Sequence, residues 1–289
     1  MATGAGRVYQ GRQVAFLTQH GKEDLVRARL EASLGCQLVH TAAYDTDLLG
    51  TFTHELARQG SQRDAARAKA QIGMRLTDLH IGMASEGAFG PDPFVGFTPW
   101  NYEVVVWVDQ QLGIEVQGFA QGPAQSLQRT LHALDQLPSF VEEANFPSHH
   151  LNLRPELAPE HGHGAVWQKG IRDVEALTQA FYAAQSQSVG GGVVIENDLR
   201  AFSNPTRQAL IRKATDDLIQ KLQSACPQCA KPGFSLAKQR SGLPCRVCAR
   251  PTALPLAEVW QCVSCGFQEE KATHGAELAD PARCDHCNP

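Results

Sequence analysis

Eight of the nine cysteines in the 289-residue chain lie after residue 225, where they form four Cys-x-x-Cys pairs. In such a turn both thiolates can bind one metal ion, with a Zn–S distance of about 2.3 Å. Four pairs supply two tetrahedral sites of four thiolates each, which leave no position for water. The sequence therefore predicts two structural Zn²⁺ ions. The predicted ligands are Cys226, Cys229, Cys245, Cys248, Cys262, Cys265, Cys284 and Cys287.

The sequence leaves open which pairs share an ion. Sequential pairing, first with second and third with fourth, fits the usual spacing of zinc ligands. The segment Val259–Phe267 is typical of the second half of a zinc ribbon, and the second pair lies shortly before it. A central ribbon of the second and third pairs, with the outer pairs joined around it, is therefore an alternative. A cross-braced arrangement, first with third and second with fourth, is another.

A strand-to-helix turn near the start of the chain could bind phosphate. An apolar strand at Val14–Thr18 is followed by Gln-His-Gly-Lys, and a helix is predicted from about Glu23. Backbone N–H groups at a helix N-terminus attract anions, and a lysine there adds a positive charge suited to phosphate. The pattern predicts that Lys22 contacts a phosphate-bearing ligand.

A basic helix and the strand after it form a second candidate. The helix is predicted over Ser61–Leu76, with its first residue as the N-cap, and it carries Arg67 and Lys69. After it we expect a strand that ends at Glu86, where a loop rich in Gly and Pro begins. A carboxylate at such a loop could hold Mg²⁺ against the phosphates of a substrate. Glu86, with Glu55, is therefore the catalytic candidate.

The segment after another predicted apolar strand is a third candidate. It contains Asp198 and Arg200, and it leads into a long helix predicted over Pro205–Leu222. Cations are disfavoured at the positive end of a helix dipole, so Arg207 in the first turn suggests an anion as its partner. A structural pair with Asp198 or a neighbouring glutamate is the alternative. We predict that these three charged residues contact the substrate, together with His149 near another strand.

The pattern of apolar segments predicts an α/β scaffold for these candidates. Strands and helices alternate, with a hairpin-like pair at Tyr102–Asp109 and Gly113–Phe119. We therefore expect a layered mixed sheet with flanking helices over residues 1–224. A helix is predicted after the hairpin, over Ser126–Leu137. Residues 225–289 are expected to form a small zinc-ribbon module whose folding depends on its metal.

Composition and charge limit the classes of function. The formal net charge of −4 argues against a globally basic nucleic-acid binder. The longest apolar run, Val104–Val108, is far shorter than the roughly 20 residues that a membrane-spanning helix needs. The first residues lack the apolar core of a signal peptide, so a cytoplasmic location is expected.

The first two candidates together resemble the inosine/xanthosine triphosphate pyrophosphatases. The resemblance covers residues 12–95 and depends on Thr18 to Lys22, on Glu55 ahead of a glycine, on Ala65–Ala70 and on Ser85–Gly87, in the same order as in that family. It implies a divalent ion held by Glu86 and Glu55 that activates water for attack at a phosphoanhydride. It also implies that Lys22, Arg67 and Lys69 neutralise the phosphates.

The whole chain also resembles a bacterial family of unknown function. The shared segments are Ser85–Gly90, Asp198–Arg207 and Cys284–Pro289. This resemblance implies one continuous architecture and supplies no activity. Combining both resemblances with the cysteines, we expect a zinc-containing protein that binds a nucleotide or acts on one as a pyrophosphatase. The alternative is a non-enzymatic zinc-ribbon protein that binds a protein or RNA partner.

Overall fold

The computed structural model describes residues 8–19, 21–44, 60–157, 168–273 and 277–289. The predicted catalytic residue Glu55 lies outside the described residues. In the described part the architecture is mixed α/β, with three sheets, flanking helices and a cysteine-rich module at the C-terminal end, which confirms the predicted fold class. No helix in this part is both long enough and apolar enough to cross a membrane.

A five-stranded mixed sheet forms the first part of the fold, in the order β2-β1-β3-β4-β5. Strand β1 is parallel to β2 and β3, whereas β4 and β5 continue the sheet as antiparallel hairpins. The strands are β1 (Gln13–Leu17), β2 (Gln37–Thr41), β3 (Ile81–Pro91), β4 (Pro99–Asp109) and β5 (Ile114–Pro123). Pairing between β1 and β3 is limited to Ala15 with Gly82 and Phe16 with Met83. The edge of β3 therefore extends past the end of β1.

The prediction that a loop begins after Glu86 was wrong. Strand β3 pairs with β4 without interruption from Ile81 opposite Asp109 to Pro91 opposite Pro99, so Glu86 lies in the middle of a strand. The chain turns later, where the buried carboxylate of Asp92 accepts hydrogen bonds from the N–H groups of three loop residues. Side chains of Arg207 and Glu103 occupy the space beside Gly87, whereas nothing lies within 4 Å of a Cβ at Gly90.

Helices cover both faces of this sheet. The described part of the chain contains the α-helices α1 (Glu23–Leu34), α2 (Gln62–Thr77), α3 (Leu137–Glu143), α4 (Val174–Gln187) and α5 (Pro205–Gln223), of which α1, α2 and α5 cover this sheet. Ser61 caps α2 as predicted, since its hydroxyl accepts from the Asp64 N–H while the Asp64 carboxylate accepts from the Ser61 N–H. α1 and α5 pack on one face over the main apolar core, and α2 packs on the other.

Two glycines identify the two faces of β3 and its neighbours. A Cβ at Gly82 would collide with Ala70 and Met74 of α2, whereas a Cβ at Gly118 would collide with Ala214 and Leu218 of α5. Because successive side chains of a strand point to opposite faces, even-numbered residues of β3 face α2 and odd-numbered ones face α5.

The second sheet is antiparallel, with the strand order β6-β9-β7-β8, and it packs on α3 and α4 around its own apolar core. Its strands are β6 (Gln128–Leu131), β7 (Leu151–Pro155), β8 (Gln168–Ile171) and β9 (Val193–Asn197). The helix predicted over Ser126–Leu137 is wrong, because Gln128–Leu131 pairs with Val193–Glu196 along β9. Pairing with a distant strand outweighs local helix propensity in this segment.

The third sheet, an antiparallel meander, forms the centre of the C-terminal module. It consists of β10 (Phe234–Ser241), β11 (Pro255–Cys262) and β12 (Gln268–Ala272), with β11 in the middle. The module contacts the first sheet and α5 directly. Lys231 Nζ donates to the Leu112 carbonyl over 3.0 Å, and Gly233 N donates to the Lys221 carbonyl over 3.1 Å.

Candidate metal centres and charged cluster

The eight paired cysteines form two groups of four sulfurs, and within each group all sulfurs lie within 4.8 Å of one another. One group is Cys226, Cys229, Cys262 and Cys265, and the other is Cys245, Cys248, Cys284 and Cys287. Within the groups, four Sγ–Sγ distances between the two pairs run from 3.6 to 3.8 Å. A tetrahedron with Zn–S bonds of about 2.3 Å has edges of about 3.8 Å. Both groups therefore fit a Zn²⁺ ion, and the two clusters could hold two such ions.

The pairing is cross-braced, so sequential pairing and the central ribbon were both wrong. The antiparallel register of β10 and β11 places Phe234 opposite Cys262, which brings the third pair to the first. A bridge between Cys245 and Ala279 brings the chain end back to the second pair. Strand pairing therefore determines which two cysteine pairs form one group. The number of residues between the pairs does not.

Turns of similar form build several of the cysteine pairs. The N–H of Ala230 donates to the Cys226 carbonyl, and that of Ala249 donates to the Cys245 carbonyl, both over 2.9 Å. These two alanines have φ values of 59° and 58°, and Gly266 has 74° at the corresponding place in the third pair. In these three pairs a residue with a left-handed backbone conformation follows the second cysteine and ends the turn.

The pKa values of two thiols in the second group are shifted in opposite directions. The N–H groups of Cys248 and Val247 lower the pKa of the Cys245 thiol to about 7. The neighbouring Cys248 sulfur, with burial, raises the pKa of the Cys287 thiol to about 12. Four adjacent thiols cannot all ionise without a cation between them, so the donor set itself calls for a metal ion such as Zn²⁺.

Away from the cysteines, the structure brings four of the predicted site residues to one stretch of β3. Lys22 Nζ donates to the Ser85 carbonyl over 2.8 Å, and Lys69 forms an ion pair with Glu86. Arg207 lies beside Gly87, where an added Cβ would collide with its guanidinium. All of these charged side chains are buried or nearly so.

A fifth charge in this group was missed by the sequence analysis. Glu103 lies opposite Gly87 on β4 and accepts a hydrogen bond from Arg207 Nε at 2.7 Å. Its signal in the sequence is a carboxylate that begins the apolar run of β4, because a buried charge needs a partner. Lys22, Lys69, Glu86, Glu103 and Arg207 are called the charged cluster below.

The charged cluster is divided between the two faces of the sheet. Glu86 and Lys69 lie on the α2 face, whereas Glu103 and Arg207 lie on the α5 face. Lys22 donates to the Ser85 carbonyl, in the part of β3 that lies beyond its pairing with β1, and its ammonium interacts electrostatically with all four charges.

Burial makes the protonated form of Lys22 less favourable. Desolvation, followed by repulsion from Arg207, lowers the pKa of the Lys22 ammonium to about 8, against the opposing effect of Glu86 and Glu103. The cluster holds three cations and two carboxylates. A buried excess of positive charge is unfavourable unless an anion comes close to it.

Arg67 does not belong to the charged cluster. Its guanidinium donates to both carboxylate oxygens of Glu115 on β5 and to Asp64 one turn earlier on α2. Arg63 donates to the same Glu115 carboxylate. The structure therefore places Arg67 in a surface ion-pair network, away from the predicted phosphates.

Three predicted substrate contacts lie on or beside the chain between β9 and α5. Arg200 donates to both oxygens of the buried Asp198 carboxylate, with the shortest bond at 2.6 Å. His149 Nε2 lies 2.9 Å from the hydroxyl of Thr206. Arg207 Nη1 donates to a carbonyl of the same connection at 2.6 Å. This connection therefore adjoins the charged cluster through the first turn of α5.

Comparison with known proteins gives one family. A family model described as a domain of unknown function, DUF6671, matches residues 69–289, which is more than half of the chain. The chain belongs to this family. The match includes Lys69, Glu86, Arg207 and all eight paired cysteines, whereas Lys22 lies before it. A search of curated proteins found no match. The resemblance to inosine/xanthosine triphosphate pyrophosphatases stays a prediction.

Proposed function

We propose that this protein binds a phosphate-bearing small molecule next to Lys22, at the part of β3 that lies beyond its pairing with β1. The observation that carries the proposal is the composition of the charged cluster, which combines Lys22, Lys69 and Arg207 with the carboxylates of Glu86 and Glu103. A phosphate at this place offsets the excess positive charge. It also accepts hydrogen bonds from an ammonium whose present partners at Ser85 are uncharged.

The position of the cluster in the fold supports the same proposal. Ligands of open α/β sheets bind outside the carboxyl ends of parallel strands, and Lys22 follows the carboxyl end of β1. It is also the N-cap of α1, so the positive end of that helix points to the same place. Glu23 and Asp24 in the first turn weaken this field, which leaves the lysine as its main source of positive charge.

Hydrolysis of a phosphoanhydride is the catalytic form of the proposal. It needs Mg²⁺ and a carboxylate to hold the ion, and Glu86 is ion-paired with Lys69. A phosphate that takes over Lys69 frees Glu86 for the metal ion. Glu103 points to the opposite face of the sheet, where it stays paired with Arg207 and does not share the metal ion with Glu86. Lys22 and Arg207 then neutralise the charge that develops on the phosphates.

A binding measurement tests the proposal. The zinc-loaded protein is titrated calorimetrically with inorganic tripolyphosphate and with ATP, and pyrophosphate release is followed in parallel with Mg²⁺. We expect binding by the wild type and at least a tenfold loss in Lys69→Met/Glu86→Gln, which removes the ion pair without leaving a lone buried charge. Arg129→Gln is the control, because it removes an exposed ion pair with Glu143 on the second sheet. Absence of binding in a folded wild-type protein refutes the proposal.

For the zinc module we propose a role in bracing the first domain, in preference to capture of a protein or RNA partner. Its first cysteine pair directly follows α5, and the module touches the end of α5 and the β4–β5 turn through Lys231 and Gly233. Removal of zinc by a chelator is therefore expected to lower the thermal stability of the whole chain. If the first domain melts at an unchanged temperature after zinc removal, the bracing role is wrong.

A further inference from the structure

An exposed aromatic side chain lies beside the phosphate site. Phe202 is the middle residue of the short helical turn Ala201–Ser203, and both of its neighbours are fully buried. The anchored neighbours fix the direction of the Phe202 side chain, which is 44% exposed.

Two polar side chains complete this feature. The Arg200 guanidinium carbon lies 4.7 Å from the centre of the Phe202 ring, and the His150 ring meets it edge-on at 6.5 Å. Hydrogen bonds to both carboxylate oxygens of Asp198 fix the Arg200 guanidinium in this position. Among the described residues, His150 Nδ1 is buried and has no hydrogen-bond partner. Phe202, Arg200 and His150 are called the aromatic shelf below.

The aromatic shelf adjoins the turn that carries Lys22. A Cβ at Gly21 would lie 3.8 Å from the Phe202 Cβ, so the two loops are in contact. Gly21 has a φ of 63°, which suits glycine and keeps this approach close. A ligand with its phosphate near Lys22 therefore has Phe202 as a neighbouring surface.

The chemistry of the shelf selects planar rings. A flat heteroaromatic ring stacks on an exposed phenyl or guanidinium face, and this interaction tolerates different bases because every base has a π face. An inorganic phosphate gains nothing from such a surface. The arrangement thus distinguishes a nucleotide from a polyphosphate without a ring.

We propose that the aromatic shelf binds the base of a nucleotide whose phosphates lie at the charged cluster. This assignment depends on the phosphate site proposed above and gives the class of its ligand. Phe202 supplies the stacking surface, Arg200 supplies a cation at the Phe202 ring, and His150 packs edge-on against that ring.

The test compares ligands with and without a ring on the same protein. The zinc-loaded wild type, Phe202→Ala and Phe202→Trp are titrated with ATP, GTP and inorganic tripolyphosphate. We expect the wild type to bind the nucleotides more tightly than tripolyphosphate. We also expect Phe202→Ala to lose roughly 5- to 100-fold in nucleotide affinity, with tripolyphosphate affinity unchanged within about twofold. Phe202→Trp is expected to retain nucleotide binding. Tyr182→Ala on α4, a similarly exposed aromatic, is the control.

Two outcomes overturn the shelf while leaving the phosphate site intact. One is equal affinity of the wild type for nucleotides and tripolyphosphate. The other is an equal loss of both affinities in Phe202→Ala, which indicates a structural role for Phe202. If the wild type binds none of the three ligands, the phosphate site and the shelf fail together.

Discussion

Arg207 and Glu103 are 104 residues apart in the chain, and their side chains form an ion pair of 2.7 Å that is almost completely shielded from solvent. The pair connects Arg207 in the first turn of α5 to Glu103 on β4 of the five-stranded sheet. The same guanidinium donates to the Leu199 carbonyl, so the connection from the second sheet is held by the same residue. Removal of either partner therefore affects how both sheets meet.

Breaking this pair is expected to destabilise the protein strongly. Glu103→Gln leaves the buried Arg207 guanidinium without its counter-charge, and we expect the free energy of unfolding to fall by about 3–5 kcal/mol. The double variant Glu103→Leu/Arg207→Met removes both charges and is expected to lose less than Glu103→Gln. Urea unfolding measures all of these values. A loss below about 1 kcal/mol in Glu103→Gln contradicts the buried pair.

A side chain at position 87 is predicted to destabilise the protein. Its Cβ would overlap the Arg207 guanidinium and the Glu103 carboxylate, so Gly87→Ala must displace a buried ion pair. We expect a loss of about 1–3 kcal/mol in the free energy of unfolding. Gly90→Ala is a matched control in the same strand, because nothing lies within 4 Å of the corresponding Cβ. Similar unfolding curves for both variants argue against the described packing.

Zinc content distinguishes the cross-braced pairing from its alternatives. Cys226→Ser/Cys262→Ser alters one cluster only and is expected to retain one zinc ion per chain, whereas Cys226→Ser/Cys245→Ser alters both and is expected to retain none. Sequential pairing predicts the reverse, and a central ribbon predicts loss of both ions from each variant. Elemental analysis of the purified variants decides between them.

Lys22 is expected to make the protein more stable as the pH rises from about 8. Its pKa is about 8 in the folded protein, against an ordinary value of 10.5. Between these values the unfolded chain holds a proton that the folded chain lacks, so the free energy of unfolding rises with pH. Below about pH 8 both states are protonated and the effect is constant.

The measurement is urea unfolding between pH 7 and pH 10.5 for the wild type and Lys22→Met. Cysteine thiols titrate in the same range, but they contribute to both proteins, so the difference between the two isolates Lys22. A difference that stays constant over this range shows that the pKa of Lys22 is not lowered. The same deprotonation is expected to weaken tripolyphosphate binding above about pH 8, because the cluster then loses one positive charge.

A small gain in stability is expected from Ala249→Gly. Ala249 adopts a φ of 58°, a region that costs an ordinary residue about 1–2 kcal/mol. Glycine removes this cost but loses more chain entropy on folding, so the net gain is about 0.5 kcal/mol. Ala32→Gly, at an exposed position inside α1, is the control and is expected to be destabilising. The melting temperatures of both variants test this, and a lower value for Ala249→Gly contradicts it.

Local features of the fold could be predicted because they depend on neighbouring residues. Ser61 as N-cap predicts the start of α2, and Pro205 as first helical residue, after Ser203 or Asn204 as the cap, predicts the start of α5. Two-residue spacing between cysteines predicts the metal ligands for the same reason. In each case the feature depends on interactions among a few neighbouring residues and not on the rest of the chain.

Features that depend on distant pairing could not be predicted. Gln128–Leu131 forms a strand only because β9 lies beside it, and the cysteine pairs find their partners through strand register. Glu86 has the expected residue type, yet only the sheet decides that it faces α2 while Glu103 faces α5. The amino-acid sequence by itself determined the chemical groups and their local turns. The tertiary structure decided which groups meet, because the side on which a strand residue lies depends on pairing with residues far away in the chain.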